Sequence, residues 1–509
     1  MEATRGKISF ARDAGSVSAN PLGVTITTTA ERPSVGTRLD RFFSITSRGS
    51  TPIREVRGGL VTFMTMAYIV ILNPLILGGF SADQATLDVE GNWLQAGQVA
   101  AVTALTAGVM TILFGLVANL PFGLAAGLGI NSFLAVSVVG QVTWAEAMGL
   151  VVINGILIVV LSATSLREMI FKAVPAQLKT AITVGIGLFI AFIGLVDSGF
   201  VRASGAASPP VQLGDDGSVT TIPTLIFVLG LLTMGVLMAR KVKGALLIGI
   251  LATTAVAIVV ESVVKLGPSF ENPGGWSLNA PVIPSSIVSL PDLSLIGAFD
   301  FGAFERIGVL AAVMLVFTLV FTNFFDAVGT LTGLTREAGL ADDKGNFPRL
   351  KSALIVEGIG AIAGGATSSS SNTIFIDSAA GVGEGARTGL ASVVTGLMFL
   401  LAMFFTPLTQ VVPLEVAGAA LVVVGVLMMS QIKEMDWSDF SASLPVFLTI
   451  IVMPLTYSIA NGIGVGFISW VIVRALSGRA RGISPLLWIV AIGFLIYFGR
   501  GPIELLLAG

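Results

Sequence analysis

Apolar sequence dominates this chain from about residue 56 to its end, and only short polar stretches interrupt it. Charged residues make up 11% of the chain and the mean hydropathy is +0.92, whereas soluble domains carry roughly 25% charged residues. A membrane helix needs roughly 20 apolar residues, because the hydrocarbon core of a bilayer is about 30 Å thick. The sequence therefore predicts an all-α polytopic protein in a lipid bilayer and excludes a soluble multidomain enzyme.

The apolar runs predict fourteen membrane segments, which we number 1 to 14. They lie near 58–78, 97–119, 121–140, 143–163, 176–197, 222–239, 244–262, 307–334, 350–366, 367–382, 388–406, 415–432, 443–457 and 459–475. The predicted parts of the chain are a polar tail (1–55), a first repeat (56–265), an outer connecting loop (266–306), a second repeat (307–476) and a C-terminal part (477–509). In that last part, the run 485–499 is too short to span the membrane and is interpreted as interfacial.

The basic residues indicate the orientation of the chain. If the polar tail is inside, all but three of the 28 basic residues fall on the same side, the exceptions being Arg202, Lys265 and Arg306. Cytoplasmic loops carry an excess of Lys and Arg. The sequence therefore predicts a multi-pass protein of the cell membrane with a cytoplasmic N-terminus.

Segments 3 and 10 do not have the composition of ordinary membrane helices. Segment 3 carries several glycines before Asn131, and segment 10 has seven consecutive hydroxyl or amide side chains before Asp377. Sixteen helical residues reach only about 24 Å, but five extended residues followed by eleven helical ones span the core. Both segments are therefore predicted to be half extended and half helical, which is tolerated at membrane depth only inside the protein or along a cavity.

The two unusual segments occupy matching places in two halves of seven segments each. The first helix of each half begins near 58 and near 307, and the same shift carries Asn131 close to Asp377. An odd number of segments gives the halves opposite orientations, as an inverted repeat requires, and matching broken helices point to a central transport site. Glycines that only allow close helix packing are the alternative.

Two carboxylates lie deep in apolar sequence. Asp326 precedes Arg336 by ten residues, or about 15 Å of helix, and Asp377 falls in the first turn of the helical half of segment 10. Ionised side chains at this depth are rare unless they serve a substrate, an ion or a proton path. A structural hydrogen bond, or for Asp377 a helix N-terminus, is the alternative. With no histidine and no cysteine, proton chemistry needs carboxylates, and the sequence predicts no metal site and no cofactor.

Five ordered motifs carry a resemblance to a known family. They are Thr62-Phe-Met-Thr-Met-Ala-Tyr68 with Asn73-Pro74, Gly127-Leu-Gly-Ile-Asn131-Ser-Phe, Phe325-Asp326-Ala-Val-Gly-Thr330, Asp377-Ser-Ala-Ala-Gly381 with Gly385-Ala-Arg387-Thr-Gly389, and Met453-Pro-Leu-Thr-Tyr457 with Asn461-Gly. Together they resemble the AzgA-type purine permeases of nucleobase:cation symporter family 2, in the xanthine/uracil permease superfamily.

This resemblance implies a seven-plus-seven inverted repeat with core and gate domains, and proton-coupled uptake of adenine, guanine or hypoxanthine. It implies substrate binding by Asn131, Asp326 and Asp377. Two positions depart from the family pattern. The family usually has glutamate where this chain has Asp377, and its Asp-Thr pair is Asp326-Ala327 here.

A purine is a flat ring with donors and acceptors on its edge, so its site needs a slot and a few convergent polar groups. Further candidates for the polar rim are Ser370 and Asn372, and candidates to cover the ring are Phe133, Phe325 and Phe375. Asp326 is predicted to carry the coupling proton, with Asp377 as second candidate, because desolvation disfavours the charged form of a carboxylate. Glu384 and Arg387 are predicted to form a cytoplasmic ion pair.

The sequence is also compatible with other transported substrates and with self-association. An anion transporter or channel on the same architecture is one alternative, although its site would favour Arg or Lys over two acids. A nucleobase permease for xanthine or uracil is another. A membrane-embedded hydrolase lacks its motifs, and the tail is no basic nucleic-acid arm. A homodimer is possible.

Overall fold

We analysed a computed structural model of the chain, which describes residues 38–80, 85–164, 173–205, 209–215, 217–284, 286–341, 347 and 349–499, without the side chains of residues 325 and 332. The predicted polar tail up to residue 37 lies outside the described residues.

Fourteen segments cross between the two faces of the described structure. Their helices are Pro52–Met66 and Ile69–Leu77 (1), Ala96–Val117 (2), Leu128–Phe133 with Leu134–Val138 (3), Trp144–Ala163 (4), Ala176–Asp197 (5), Ile222–Ala239 (6), Ala245–Val264 (7), Val309–Glu337 (8), Leu350–Ala366 (9), Ile376–Ser378 with Ala379–Gly383 (10), Gly389–Ala402 with Met403–Val411 (11), Leu414–Met429 (12), Phe440–Leu455 (13) and Ile459–Arg474 (14). A further helix, Pro485–Phe498, follows them. Ten helices of the described residues are long and apolar enough to cross a membrane.

Local capping explains where several segments begin. The Thr51 side chain accepts from the backbone N–H of Arg54, with Pro52 in the first turn, so segment 1 begins six residues earlier than predicted. Segment 4 begins with a capping box, in which Thr143 and Glu146 each bind the other's backbone N–H. These caps satisfy N–H groups that a helix end would otherwise leave unpaired.

The helix packing has the pseudo-twofold symmetry of an inverted repeat. Segment 2 packs on segment 11, and the symmetry-related segment 9 packs on segment 4. Likewise, segment 5 packs on segment 13 and segment 12 on segment 6, while segments 5 and 12 pack on each other. Segments 1–4 and 8–11 form the core domain, and segments 5–7 and 12–14 form the gate domain. The predicted seven-plus-seven architecture is confirmed.

Glycines at seven-residue spacing make the close helix crossings possible. On segments 2 and 11, a Cβ at Gly389 would lie 1.8 Å from the carbonyl oxygen of Gly115. On segments 5 and 12, a Cβ at Gly194 would lie 2.4 Å from the carbonyl oxygen of Gly418. Small residues let membrane helices approach closely enough for extensive van der Waals contact. These glycines therefore set the distance between the two repeats.

We expect Gly389→Ala to destabilise the protein, because its methyl group must push segments 2 and 11 apart. Overpacking of this kind costs about 1–3 kcal/mol. Gly235→Ala is the matched control, because a Cβ at Gly235 meets no atom within 4 Å and alanine favours the helix by roughly 0.5–1 kcal/mol. Thermal unfolding of the purified proteins in detergent measures both. Equal melting temperatures for the two variants would show that this crossing is not tightly packed.

Short strands supply the extended halves of segments 3 and 10. Strands β1 (Gly78–Gly79) and β2 (Leu94–Gln95) pair in parallel, and β4 (Val201–Ala203) and β5 (Val211–Leu213) form a hairpin. Strand β3 (Leu124–Ala126) belongs to segment 3. It pairs antiparallel with β6 (Asn372–Ile374) of segment 10. The half-extended, half-helical prediction is confirmed for both segments.

The details of segment 10 differ from the prediction of five extended and eleven helical residues. The strand β6 has three residues, and the helical part comprises a three-residue and a five-residue helix. Ser368 and Ser370 have positive φ values of 58° and 71°, so the chain turns there and does not extend. Gly385, with φ of 99°, lies just beyond the last helical residue.

We call the face that carries Lys241, Lys243 and Arg387 the basic face. Here residues 38–49, predicted as part of the polar tail, are folded onto the core domain: Asn119 Nδ2 donates to the carbonyl of Phe43 at 2.9 Å. The predicted ion pair of Glu384 with Arg387 is wrong. Glu384 pairs with Arg57 and Lys243, whereas Arg387 donates to nearby backbone carbonyls. Lys243 thereby links the gate domain to the core domain.

The C-terminal helix Pro485–Phe498 packs along segments 8 and 14. Phe494 contacts Phe317 of segment 8 and Phe467 of segment 14 at ring distances of 5.7 and 6.3 Å. Its interfacial position relative to the bilayer stays a prediction, as do the predicted domain boundaries.

Candidate functional site

The centre of the core domain is an antiparallel crossing of β3 and β6. Ala125 and Thr373 are the middle pair, and two further bonds extend the ladder: Gly127 N–H to the Ser371 carbonyl (2.9 Å) and Phe375 N–H to the Gly123 carbonyl (3.0 Å). Backbone groups at membrane depth must find partners inside the protein. The pairing provides them, and the helical half of each segment begins directly beside the crossing.

A narrow cavity of about 90 Å³ lies between this crossing and the gate domain, and we call it the central cavity. It is lined by Tyr68, Gly127, Leu128, Gly129, Ile130, Ile186, Thr322, Asp326, Thr330, Thr373, Ile374, Phe375, Ile376, Asp377, Val424 and Met428.

One wall of the central cavity is polar and belongs to the core domain. Asp326 lies on segment 8 between Thr322 and Thr330, and the spacing of four residues places all three on one helix face. The Thr322 hydroxyl is buried and has no hydrogen-bond partner among the described residues. No described residue hydrogen-bonds to the carboxylate of Asp326 either. A ligand in the cavity therefore has free groups to pair with.

Asp377 completes the polar wall from the start of the helical part of segment 10. The Tyr68 hydroxyl donates to Asp377 Oδ2 at 3.3 Å, and the Thr65 hydroxyl donates to the Asp377 carbonyl at 3.2 Å. Tyr68 lies at the break between the two helices of segment 1, which brings its ring into the cavity. Asp377 is thus oriented by segment 1 and keeps one carboxylate oxygen for a further donor.

The opposite wall is apolar and belongs to the gate domain. It consists of Ile186 from segment 5 and of Val424 and Met428 from segment 12. A molecule in the central cavity therefore has hydrogen-bonding groups on its core side and hydrocarbon on its gate side. This arrangement suits a flat ring with a polar edge.

The central cavity continues towards the basic face. Ile376 and Asp377 also line a second cavity of about 610 Å³, the inner cavity, whose wall includes Lys241 and Lys243. Asp377 therefore lies between the two cavities.

Four of the residues predicted for the site do not line the central cavity. Asn131 is buried and donates to Asn73 Oδ1 at 2.5 Å, and Asn73 in turn donates to the Ser369 carbonyl at 3.0 Å. Phe133 is buried in the core. Ser370 and Asn372 are buried as well, and the Asn372 amide donates to the Ser370 carbonyl at 3.3 Å. In this conformation they lie beside the crossing and away from the central cavity, and their contact with a substrate stays a prediction.

Phe375 does line the cavity, and its ring centroid lies 6.5 Å from that of Tyr68. The side chain of Phe325 lies outside the described residues. Ala327, which replaces a threonine of the family pattern, packs in a second apolar cluster with Leu331 and Leu334. A hydroxyl at position 327 would therefore not face the central cavity.

Several residues of the site were missed by the sequence reasoning. Tyr68, Thr322 and Thr330 have neither unusual spacing nor charge, and only helix rotation brings them together. Glu357 of segment 9 did have a signal, because it is the only charged residue between Lys351 and Asp377. It is completely buried and lies close enough to Asp326 for their charges to interact.

Comparison with known proteins places this geometry in a family. The sequence model of the permease family matches residues 54–465. The chain is 37% identical to the adenine permease AdeP of Escherichia coli (strain K12), over 90% of this chain and 95% of that protein. It is 36% identical to the guanine/hypoxanthine permease PbuG of Bacillus subtilis (strain 168), over 90% and 98%.

Solved structures show the same fold at low sequence identity. The transmembrane domain of a cyanobacterial bicarbonate transporter, BicA, matches with a TM-score of 0.58 and 14% identity, over 80% of this chain and 97% of that chain. The murine anion transporter Slc26a9 in its inward-facing state matches with a TM-score of 0.56 and 11% identity, over 88% and 74%. The chain is therefore a multi-pass membrane protein that belongs to the permease family, in the branch of the purine permeases that its sequence motifs resemble.

Proposed function

We propose that this protein is a secondary active transporter that imports a purine nucleobase together with a proton. The observation that carries the proposal is the pair of carboxylates, Asp326 and Asp377, on the polar wall of a cavity whose other wall is apolar. The relatives named as adenine and guanine/hypoxanthine permeases support this substrate class.

The two walls match the chemistry of a purine. Ring N–H and exocyclic amino groups donate to carboxylates, while the unpaired Thr322 hydroxyl supplies a donor for a ring nitrogen or carbonyl oxygen. Ile186, Val424 and Met428 pack on the ring face. The side chain of Asp377 is one methylene shorter than the glutamate of the family pattern. The preferred base therefore depends on how closely its ring approaches this carboxylate.

For coupling, we assign the proton to Asp326. Asp326 lines the central cavity and accepts no hydrogen bond from a described residue, so protonation removes the cost of an isolated charge there. Glu357 of segment 9 is a second buried carboxylate near Asp326 and the next candidate to carry the proton. A proton that binds at Asp326 with the purine and leaves on the other side couples the two fluxes.

The basic face is proposed to be cytoplasmic, in accordance with the positive-inside rule. The conformation is then inward-facing, because the inner cavity meets the central cavity at Asp377. Alternating access requires the core and gate domains to move relative to each other and to open the opposite face. The Lys243–Glu384 contact between these domains is one that such a movement has to break.

An anion transporter is the second candidate, because the two solved structures with the same fold are a bicarbonate transporter and an anion transporter. Their sequence identity is below 15%, so the likeness concerns the fold alone. The central cavity has two carboxylates and no lysine or arginine among its described lining residues. Electrostatics therefore favours a neutral base over an anion.

Purine uptake is the direct test. In proteoliposomes with an inwardly directed proton gradient, radiolabelled adenine, guanine or hypoxanthine should accumulate, and a protonophore should abolish the accumulation. Unlabelled adenine, guanine or hypoxanthine should compete, whereas competition by uracil, xanthine or bicarbonate instead would identify one of the alternative substrates. Accumulation that ignores the pH gradient but follows a sodium gradient would contradict the proton assignment and leave the purine assignment intact.

A further inference from the structure

A separate polar cavity lies on the face opposite the basic face. Its volume is about 480 Å³, and it is formed by the end of segment 3, the turn between segments 13 and 14, and the end of the C-terminal helix. We call it the outer vestibule and define it by Ser137, Gln141, Tyr457, Asn461 and Tyr497. None of these residues lines the central cavity.

The lining of the outer vestibule is polar and uncharged. Two carboxamides (Gln141 and Asn461) and two phenol rings (Tyr457 and Tyr497) face it, with no acidic or basic side chain among its described lining residues. The Gln141 amide donates to the Ser137 carbonyl at 2.8 Å, and the Asn461 side chain has no hydrogen-bond partner in the described structure. Carboxamides can pair with both a donor and an acceptor on one edge of a base, and phenol rings can stack on its face.

Tyr457 of the outer vestibule packs on segment 5, the helix whose Ile186 lines the central cavity. The ring of Tyr457 packs edge-on against Phe189 and Phe192 of segment 5, with centroid distances of 5.7 Å. Its backbone carbonyl accepts a hydrogen bond from the Ser137 hydroxyl at 3.0 Å, which joins the gate domain to the core domain. Tyr457 has a φ of 52°, a left-handed conformation that is rare for a bulky residue and typical of functional turns.

We infer that the outer vestibule is a docking subsite for a neutral nucleobase, which binds there before Tyr457 and its contacts open towards the central cavity. The inference rests on the proposed function, because it takes the purine as the transported molecule. It accounts for the motif Met453 to Asn461, which supplies Tyr457 and Asn461 to the vestibule and contributes no residue to the central cavity. The neutral lining excludes capture of an anion by charge.

The chain contains no cysteine, so single cysteines can report on the vestibule directly. The probes are Val136→Cys and Thr456→Cys, which line the vestibule and leave both carboxamides in place, labelled in intact cells by a membrane-impermeant methanethiosulfonate reagent added outside. Adenine should slow the labelling of both several-fold. Ser218→Cys, on the exposed turn after β5 of the same face, is the control and should react at the same rate with and without adenine.

The same measurements in the Asp377→Asn background separate the vestibule from the central cavity. Adenine is used at a concentration too low to fill the weakened central site. Protection that persists at Val136→Cys and Thr456→Cys supports the docking subsite. Protection that disappears in this background, or that is absent in both backgrounds, overturns it. Uptake by the wild-type protein tests the proposed function separately, since loss of protection with intact purine uptake refutes the subsite alone.

Discussion

Replacing Asp326 with asparagine should abolish accumulation of purine against its gradient while purine exchange continues. With one proton per purine, a gradient of one pH unit supports a concentration ratio of about 10, because both correspond to about 1.36 kcal/mol. Asparagine is nearly isosteric with the protonated acid but cannot release a proton. We therefore expect a ratio near 1 in the variant.

The measurement compares pH-driven accumulation with counterflow in vesicles loaded with unlabelled purine. Asp292→Asn on the loop before segment 8 is the matched control. A hydrogen bond from Gln98 lowers the pKa of Asp292, so the control also removes a full charge, but far from the central cavity. Wild-type accumulation by Asp326→Asn would show that the proton travels elsewhere, and Glu357→Gln and Asp377→Asn would be tested next.

Replacing Asp377 with asparagine should weaken purine binding by roughly 10- to 150-fold. This range corresponds to the roughly 1.5–3 kcal/mol of a hydrogen bond to a charged group. The amide keeps the shape of the side chain and retains an acceptor for the Tyr68 hydroxyl, so the position of segment 1 should be maintained. Equilibrium binding of radiolabelled purine to the purified protein measures the loss.

The conservative variant Asp377→Glu distinguishes a binding role from a structural one. It restores the residue that the family pattern usually has, so transport should persist while the ranking of adenine, guanine and hypoxanthine changes. If Asp377→Asn bound purine with unaltered affinity, the role of this carboxylate would be to stabilise the local structure of segments 1 and 10. Loss of thermal stability in both variants would lead to the same conclusion.

The sequence predicted the membrane segments because hydrophobicity and charge act locally. Segments 5, 6 and 9 begin and end at the predicted residues, Ala176–Asp197, Ile222–Ala239 and Leu350–Ala366. The glycine and hydroxyl content of segments 3 and 10 was likewise sufficient to predict strands beside half-helices. Such features depend only on the residues in a run and on the thickness of the bilayer.

The positions of the polar side chains around the site required the tertiary structure. Asn131 and Thr322 are both polar and both buried, yet only Thr322 lines the central cavity. The difference lies in the rotation of each helix about its axis, which is set by packing across the pseudo-twofold symmetry. A single sequence does not encode that rotation in any local pattern, because both faces of a core helix are apolar.

What the sequence by itself determined is the number of segments, the inverted repeat and the placement of Asp326 and Asp377 on segments 8 and 10, since each follows from chain length and local composition. Only the tertiary structure decided that Tyr68 binds Asp377, that Glu357 stands behind Asp326 and that Ile186, Val424 and Met428 form the apolar wall. These contacts join residues that are far apart in the chain, and the close glycine crossings bring them together.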